Sequence, residues 1–302
     1  MIHFSNMQLD KTLIGSIVVA LGLVLGCNSP EPESPIRQVG LISADSTQLL
    51  FDNVVEIARL ENWHTLPIGL IVQQTGLQFI GRPYEAGLLD ESESEDLLLD
   101  LQRFDCVLFV ENALAIARGI AKEDYSYESY GQSVEELRYR GGIREGYCSR
   151  LHYFTDWIDD NVEKGIVQNI TRQLGGDTLA VNRTFMGEHR SSYARLAQND
   201  SLFQGILQME QNISDQVLYY IPQSGIRDAY PLLNSGDVIA TSTSVAGLDV
   251  SHTGFAHDNG DSTFGFLHAS TAQGVTVAPD LHDYVNSVSI QTGIVVARPI
   301  SN

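Results

Sequence analysis

Apolar residues follow two regimes along the chain: a helical spacing through the first two thirds, then short alternating or β-branched runs. The strongest helical pattern lies between Arg103 and Arg118. Val107, Val110, Leu114 and Ala117 make one apolar stripe and Phe109, Ala113, Ile116 and Ile120 a second, leaving a narrow polar strip through Glu111 and Arg118. Asp105 is suited to cap this helix, and no Pro or Gly interrupts it before Gly119. A helix so apolar around its circumference belongs in the middle of a domain. Further helices are predicted from Ser46 to Glu61, capped by Ser46, and from Pro67 to Phe79, ended by Gly81. Ser133 to Arg140 reads as a charged surface helix, followed by a turn at Gly141-Gly142. Gly81 to Tyr84 reads as a turn into an extended segment, Asp90 to Asp96 as a solvated acidic loop, and Leu97 to Leu101 as an extended run feeding the buried helix. Tyr84 meets the head of that helix only if the two extended pieces lie together.

After helical or irregular material from Met186 to Gln211 the pattern changes. Val217–Ile221, Asp237–Ala240, Ser251–Ala256, Thr263–His268, Gly274–Ala278 and Ser289–Ala297 read as strands separated by Gly, Asn, Asp and Ser. Helices first and strands afterwards predict an α+β fold, an antiparallel sheet packed on the buried helix.

The amino terminus changes the picture of where such a domain works. Lys11 precedes an uncharged apolar run from Leu13 to Leu25, and Gly26 stands directly before Cys27, the pattern of an export signal ending at a lipidated cysteine. Asn28 to Arg37, with Pro30, Pro32 and Pro35, reads as a solvated tether. The expected organisation is a signal peptide over residues 1–26, a lipidated tether over 27–45 and one catalytic domain over 46–302. A net charge of −20 argues against nucleic acid and against anionic lipid as surface partners, so the membrane contact rests on the acyl chains at Cys27.

With Cys27 lipidated, only Cys106 and Cys148 remain, too few for a disulfide framework; a bond between them would disable the thiol at the helix mouth. Cys106 opens the buried helix, where unpaired N–H groups and the macrodipole favour a thiolate. Asp105 opposes that shift and Arg103 assists it. A lone cysteine on an apolar helix is more often a small buried hydrophobe, so its company decides. A turn centred on Asn259-Gly260-Asp261 folds two strands into a hairpin that sets His252 beside His268. His257, five residues from His252, falls on the other face. The run from Gly146 to Ile158, with Ser149, Arg150, His152, Tyr153 and Trp157, reads as a substrate-facing loop, Arg150 being suited to a carboxylate. A zinc hydrolase using His252, His268, His282 and an Asp is the less favoured class, because no His-Glu-x-x-His helix is present.

Asp105-Cys106 opening a helix, Gly236-Asp237-Val238-Ile239 entering a strand, Ser251-His252-Thr253-Gly254 and the later His268 resemble the NlpC/P60 cysteine peptidase superfamily. Phe104-Asp105-Cys106-Val107, Leu137-Arg138-Tyr139-Arg140 and Ser149-Arg150-Leu151-His152-Tyr153 resemble its DUF1460 branch, over about Tyr84 to Pro299. The chain departs from that pattern at Leu108, where a small hydroxyl residue is expected, and at Cys148, where a small non-thiol is. The resemblance implies a papain-like core and a cofactor-free, metal-free N-acetylmuramoyl-L-alanine amidase acting on muropeptides. It casts Cys106, His252 and His268 as catalytic triad, Tyr84 as an oxyanion donor, and Ser149, Arg150, His152 and Tyr153 as substrate-binding. The protein is expected as an exported monomer, anchored in the periplasm or at the outer membrane. The alternatives are a D-glutamyl–diamino acid endopeptidase of the same superfamily and a catalytically silent wall-binding lipoprotein.

Overall fold

The computed structural model describes residues 44–214 and 216–301. The expected leader, Cys27 and the tether through residue 43 lie outside the described residues. Five helices lead: α1 (Ala44–Leu60), α2 (Ile68–Leu77), α3 (Cys106–Ala121), α4 (Tyr127–Arg138) and α5 (Phe154–Glu163). Strands β1 (Val167–Asn169) and β2 (Asp177–Leu179) and helices α6 (Phe185–Glu188), α7 (Ala194–Gln198) and α8 (Asp200–Ile213) follow. The remainder is β3 (Leu218–Pro222), α9 (Ile226–Ala229), β4 (Val238–Thr243), β5 (Val250–Asp258), β6 (Phe264–Ser270), β7 (Gly274–Ala278), α10 (Leu281–Ser287) and β8 (Gln291–Pro299).

The strands form one eight-stranded antiparallel sheet in the order β2-β3-β8-β4-β5-β6-β7, with β1 also paired to β8. Side chains of a strand alternate between faces, and here both faces are covered. Val238, Ala240, Phe255, Leu267 and Val295 pack with α1 to α5, the Phe109 and Phe255 rings meeting edge to face at 5.6 Å. Ile239, Ala256, Phe266, Ile294 and Val296 face the other way, onto α9 and α10. This two-sided burial makes β4 buried along its whole length. A third apolar cluster joins Tyr147 and Tyr153 to α6 through α8.

The helix α3 is as buried as its pattern requires, and Asp105 accepts the Leu108 N–H at 2.7 Å. Its polar strip is internal at Glu111, while Arg118 reaches outward to Glu136. Glu111 pairs with Arg138 at 2.7 Å with both side chains at most 2% exposed, and Asn112 bonds the Tyr130 hydroxyl. The surface helix expected at Ser133–Arg140 is therefore α4, begun earlier by the Ser126 cap and burying Tyr130, Val134, Leu137 and Arg138. A charged residue concealed the apolar face because its partner lies on another helix. The first helix also starts earlier than expected. Ser46 lies inside α1 and accepts from Gln102 Nε2 at 2.7 Å, so it is not the cap. Leu97 to Leu101 joins no strand; Arg138 Nη1 binds the Leu98 carbonyl there at 2.9 Å.

The segment after Gly81 reaches the helix head through Phe104 and not through the expected run Leu97–Leu101. Tyr84 and Phe104 form a parallel bridge, with the Glu85 N–H on the Phe104 carbonyl at 2.9 Å, which delivers Tyr84 to the head of α3.

Candidate active site

Cys106 occupies the first turn of α3 and is 3% exposed; it forms no disulfide, and neither does the half-buried Cys148. The thiolate expected from that position does not form in the resting structure: burial, followed by the Asp105 carboxylate, pushes the Cys106 thiol up to about 12. The Thr253 N–H, hydrogen-bonded to the sulfur, and the helix's own amide pull the other way but lose. Arg103 gives no help, because Glu85, Asp100 and Glu91 hold its guanidinium at 2.8, 3.0 and 3.5 Å.

The Thr253 contact joins the helix mouth to β5 one residue after His252. In the β5–β6 ladder Gly254 lies opposite His268, so His252, two residues along on the same face, sits diagonal to it. His252 Nε2 and His268 Nδ1 are 2.7 Å apart, with the rings perpendicular. Gly254 makes this approach possible: a Cβ there would stand 2.5 Å from the Leu267 carbonyl oxygen and 2.8 Å from His268 Cβ. Phe266 stacks on the His268 ring at 4.8 Å and 11°, fixing its plane. Burial, then the neighbouring His268, lowers His252 to about 3; burial lowers His268 to about 4. Both imidazoles are neutral at neutral pH, each able to accept a proton only when a charge develops to hold it.

Two phenols complete the surroundings. Burial raises the Tyr84 hydroxyl well above its ordinary range, and the charges of Cys106 and Asp105 raise it further. Tyr284 of α10 is affected in the same way by burial and by Cys106. Its ring lies 4.7 Å from His268 and 6.1 Å from His252. The sequence reading missed Tyr284 because no helix was assigned there; the capping signal was legible, Asp280 accepting the Asp283 N–H at 2.9 Å. His282, weighed as a zinc ligand with His252 and His268, bonds Asp283 and Arg227 at 2.9 and 3.1 Å and groups with Asp280 and Asp283.

The loop expected to face substrate divides. Arg150 and His152 border a cavity of about 70 Å³ that also touches Asp105, Val107, Glu111 and Arg138 beside the helix mouth. The carboxylates that Arg150 meets belong to its own chain: Glu95 takes Nε and Nη2 at 2.8 and 2.9 Å and Asp90 takes Nη1 at 3.0 Å. His152 Nε2 bonds the Tyr147 carbonyl at 2.9 Å. Ser149 Oγ closes its own turn on the Gly146 carbonyl at 2.7 Å. Tyr153 is buried and donates to Glu210 at 2.7 Å, and Trp157 stacks on Phe154 in the core. Cys148 Sγ donates to the Leu202 carbonyl on α8, and Leu108 fills the main core.

Residues 74–294 match the model of the AmiA-like family, described as N-acetylmuramoyl-L-alanine amidase-like. Among solved structures, an N-acetylmuramoyl-L-alanine amidase from Bacteroides uniformis is 31% identical with a TM-score of 0.73, covering 77% of this chain and 98% of its own. A Bacteroides fragilis protein provisionally called a xylanase is 32% identical with a TM-score of 0.69, over 74% of this chain and 99% of its own. A Legionella pneumophila protein bearing the DUF1460 family name is 21% identical with a TM-score of 0.63, over 85% and 97%, and shares the fold. No curated protein sequence matches.

Proposed function

Because the chain belongs to the AmiA-like family of N-acetylmuramoyl-L-alanine amidase-like proteins, we propose that it is a cysteine-dependent amidase of NlpC/P60 type that cleaves the amide between N-acetylmuramic acid and L-alanine in muropeptides. The observation that carries the cysteine mechanism is the His252–His268 contact of 2.7 Å, one residue from the Thr253 N–H that bonds the Cys106 sulfur.

The resting charges shape the chemistry. A thiol near 12 and an imidazole near 3 do not exchange a proton spontaneously, so Cys106 and His252 both rest uncharged. Proton transfer must accompany carbon–sulfur bond formation, when the charge leaving sulfur passes to the carbonyl oxygen. In the tautomer that donates Nε2–H to His268 Nδ1 across the 2.7 Å contact, His252 keeps its Nδ1 lone pair to take the thiol proton. His268 orients it. The oxyanion is met by the Cys106 N–H at the helix terminus and by Tyr84. His252 then protonates the leaving L-alanine nitrogen, the C–N bond breaks, and a thioester remains. Water, losing a proton to His252, hydrolyses it and restores the thiol.

The choice of bond rests on what the mouth lacks. An endopeptidase recognising a free α-ammonium wants an open carboxylate, whereas Asp105 bonds the Leu108 N–H, Glu111 pairs with Arg138 and Asp90 with Arg150. A xylanase would want two opposed carboxyls, whereas beside Cys106 the carboxylate is that of Asp105, committed to the helix cap, and the other groups are imidazoles and phenols. We place the enzyme outside the cytoplasm as a monomeric lipoprotein anchored through Cys27, with residues 46–302 as one catalytic domain. Among the described residues no helix is long and apolar enough to cross a membrane. Turnover of a disaccharide-tetrapeptide should vanish in Cys106→Ala and His252→Ala and persist in Cys148→Ser. Turnover retained by Cys106→Ala would refute the mechanism.

A further inference from the structure

Granting His252 as the base, we propose that an extra residue in β5, Ser251, keeps His252 on the face that carries His268, and that the Thr241 hydroxyl of β4 clasps it there. Thr241 is then a positioning residue, acting on the pair through the backbone of His252.

The extra residue is visible in the strand register. On β4, Ala240 lies opposite Thr253 and Thr241 opposite His252, but the next residue, Ser242, lies opposite Val250, so Ser251 has no partner across the ladder. One such residue is a β-bulge, which interrupts the alternation of side chains between the two faces. The packing agrees. Val250 and Phe255 both belong to the main core under the helices, although five residues separate them and a regular strand would turn them opposite ways. Ala256 and Phe266 belong to the layer behind the sheet, and His252 joins that face, its ring 5.8 Å from Phe266. A regular strand of the same sequence would put Val250 and His252 on one face. Either Val250 would leave the core or His252 would enter it, away from His268.

Hydroxyls hold the bulge. Thr241 Oγ1 donates to the His252 carbonyl at 3.2 Å and lies 3.2 Å from Ser251 Oγ. A hydroxyl has one proton, so with that of Thr241 on the carbonyl, Ser251 is the donor in the second contact. Thr241 is fully buried, which leaves water no part in this chain of bonds. The ladder between β5 and β6 begins only at Gly254 opposite His268, so it is β4 that holds the backbone of His252. The far side of β4 is built alike: Thr292 of β8 is also unpaired in the register and bonds Ser242 Oγ at 2.9 Å, while Thr243 Oγ1 donates to the Ile290 carbonyl at 3.0 Å. Bulges on both sides bend and twist this end of β4, and the hydroxyls fix the bend.

Thr241→Val keeps the branched shape and removes the hydroxyl, whereas Thr241→Ser keeps the hydroxyl. The turnover number of Thr241→Val should fall roughly ten- to a hundredfold with KM nearly unchanged, the scale of a reacting group misplaced by up to about 1 Å, and Thr241→Ser should recover most of it. Independently of any substrate, long-range proton–nitrogen correlation spectroscopy on the full chain reads the tautomers of the histidine rings. His252 should show one fixed tautomer in the wild type and in Thr241→Ser, and averaging between tautomers in Thr241→Val, where its contact with His268 loosens. A purely structural role predicts a lower melting temperature with turnover number and tautomer unmoved, and that result overturns the inference. So does a wild-type His252 that already averages, or a loss in Thr241→Val that Thr241→Ser shares. If the tautomer responds while wild-type enzyme releases no peptide from the muropeptide, Thr241 keeps its role and the substrate assignment fails instead.

Discussion

Replacing His268 by glutamine tests whether the histidine pair rests uncharged. Burial lowers His268 from 6.5 to about 4 in the folded chain, and the side chain is 3% exposed. As pH falls, the unfolded chain takes up the proton first. The contribution to stability is therefore complete above about pH 6.5, is lost progressively between there and about pH 4, and is absent below. A displacement of this size corresponds to about 3 kcal/mol, at about 1.4 kcal/mol per pH unit, of which roughly 2 kcal/mol disappears between pH 7 and pH 5. Urea unfolding at those two pH values gives the slope directly. His268→Gln removes the titrating group but keeps a polar side chain, and the carboxylates that also weaken the protein in acid are common to both proteins. The wild type should lose roughly 2 kcal/mol more than the variant, a relative midpoint shift of roughly 1 M urea. Equal losses would mean that His268 is not held neutral, and the argument that His252 waits as a free base would go with it.

The buried pair that anchors the nucleophile helix should be costly to break: Glu111→Ala leaves the Arg138 guanidinium uncompensated and should cost about 3–5 kcal/mol, with melting lowered by roughly 6–20 °C, while Glu111→Leu with Arg138→Met should recover most of it. Differential scanning calorimetry of the three proteins decides; a loss in Glu111→Ala below about 1 kcal/mol would mean that water already reaches the pair. Gly254→Ala should destabilise by about 1–3 kcal/mol and depress turnover, since the new methyl pushes apart the strands that bring His268 to His252; unchanged turnover would show that the hairpin can give without separating them. Cys27→Ser should leave an unprocessed or soluble protein on membrane fractionation, and normal processing with membrane partition would remove the lipoprotein proposal.

Much of this arrangement was legible in the chain because single residues carried it. The apolar circumference of Cys106–Ala121, the Asp105 cap and the hairpin turn at Asn259-Gly260-Asp261 each encode local geometry, and they place the helix mouth and the two histidines. What escaped was pairwise. Arg138 reads as part of a charged surface helix until its partnership with Glu111 across two helices is seen, and Arg150 reads as a cation waiting for a substrate carboxylate until Glu95 and Asp90 are found on it. The state of the Cys106 thiol escaped for a related reason: a helix terminus lowers a thiol, but burial beside Asp105 raises it more, and burial depth is a property of the packed domain. Tyr284 is brought to the histidines by α10, and the ring contacts that place it cross from that helix to Phe266 and His268 on β6.

The central claim is that Cys106 breaks the bond between the sugar and the peptide. It is tested most directly by digesting a defined disaccharide-tetrapeptide with the wild type and Cys106→Ala in parallel and weighing the products by mass spectrometry. The account predicts intact disaccharide and a free tetrapeptide beginning with L-alanine from the wild type, and untouched substrate from the variant. Recovery of disaccharide-L-Ala-D-Glu would establish the endopeptidase instead, and cleavage by Cys106→Ala would contradict the account outright.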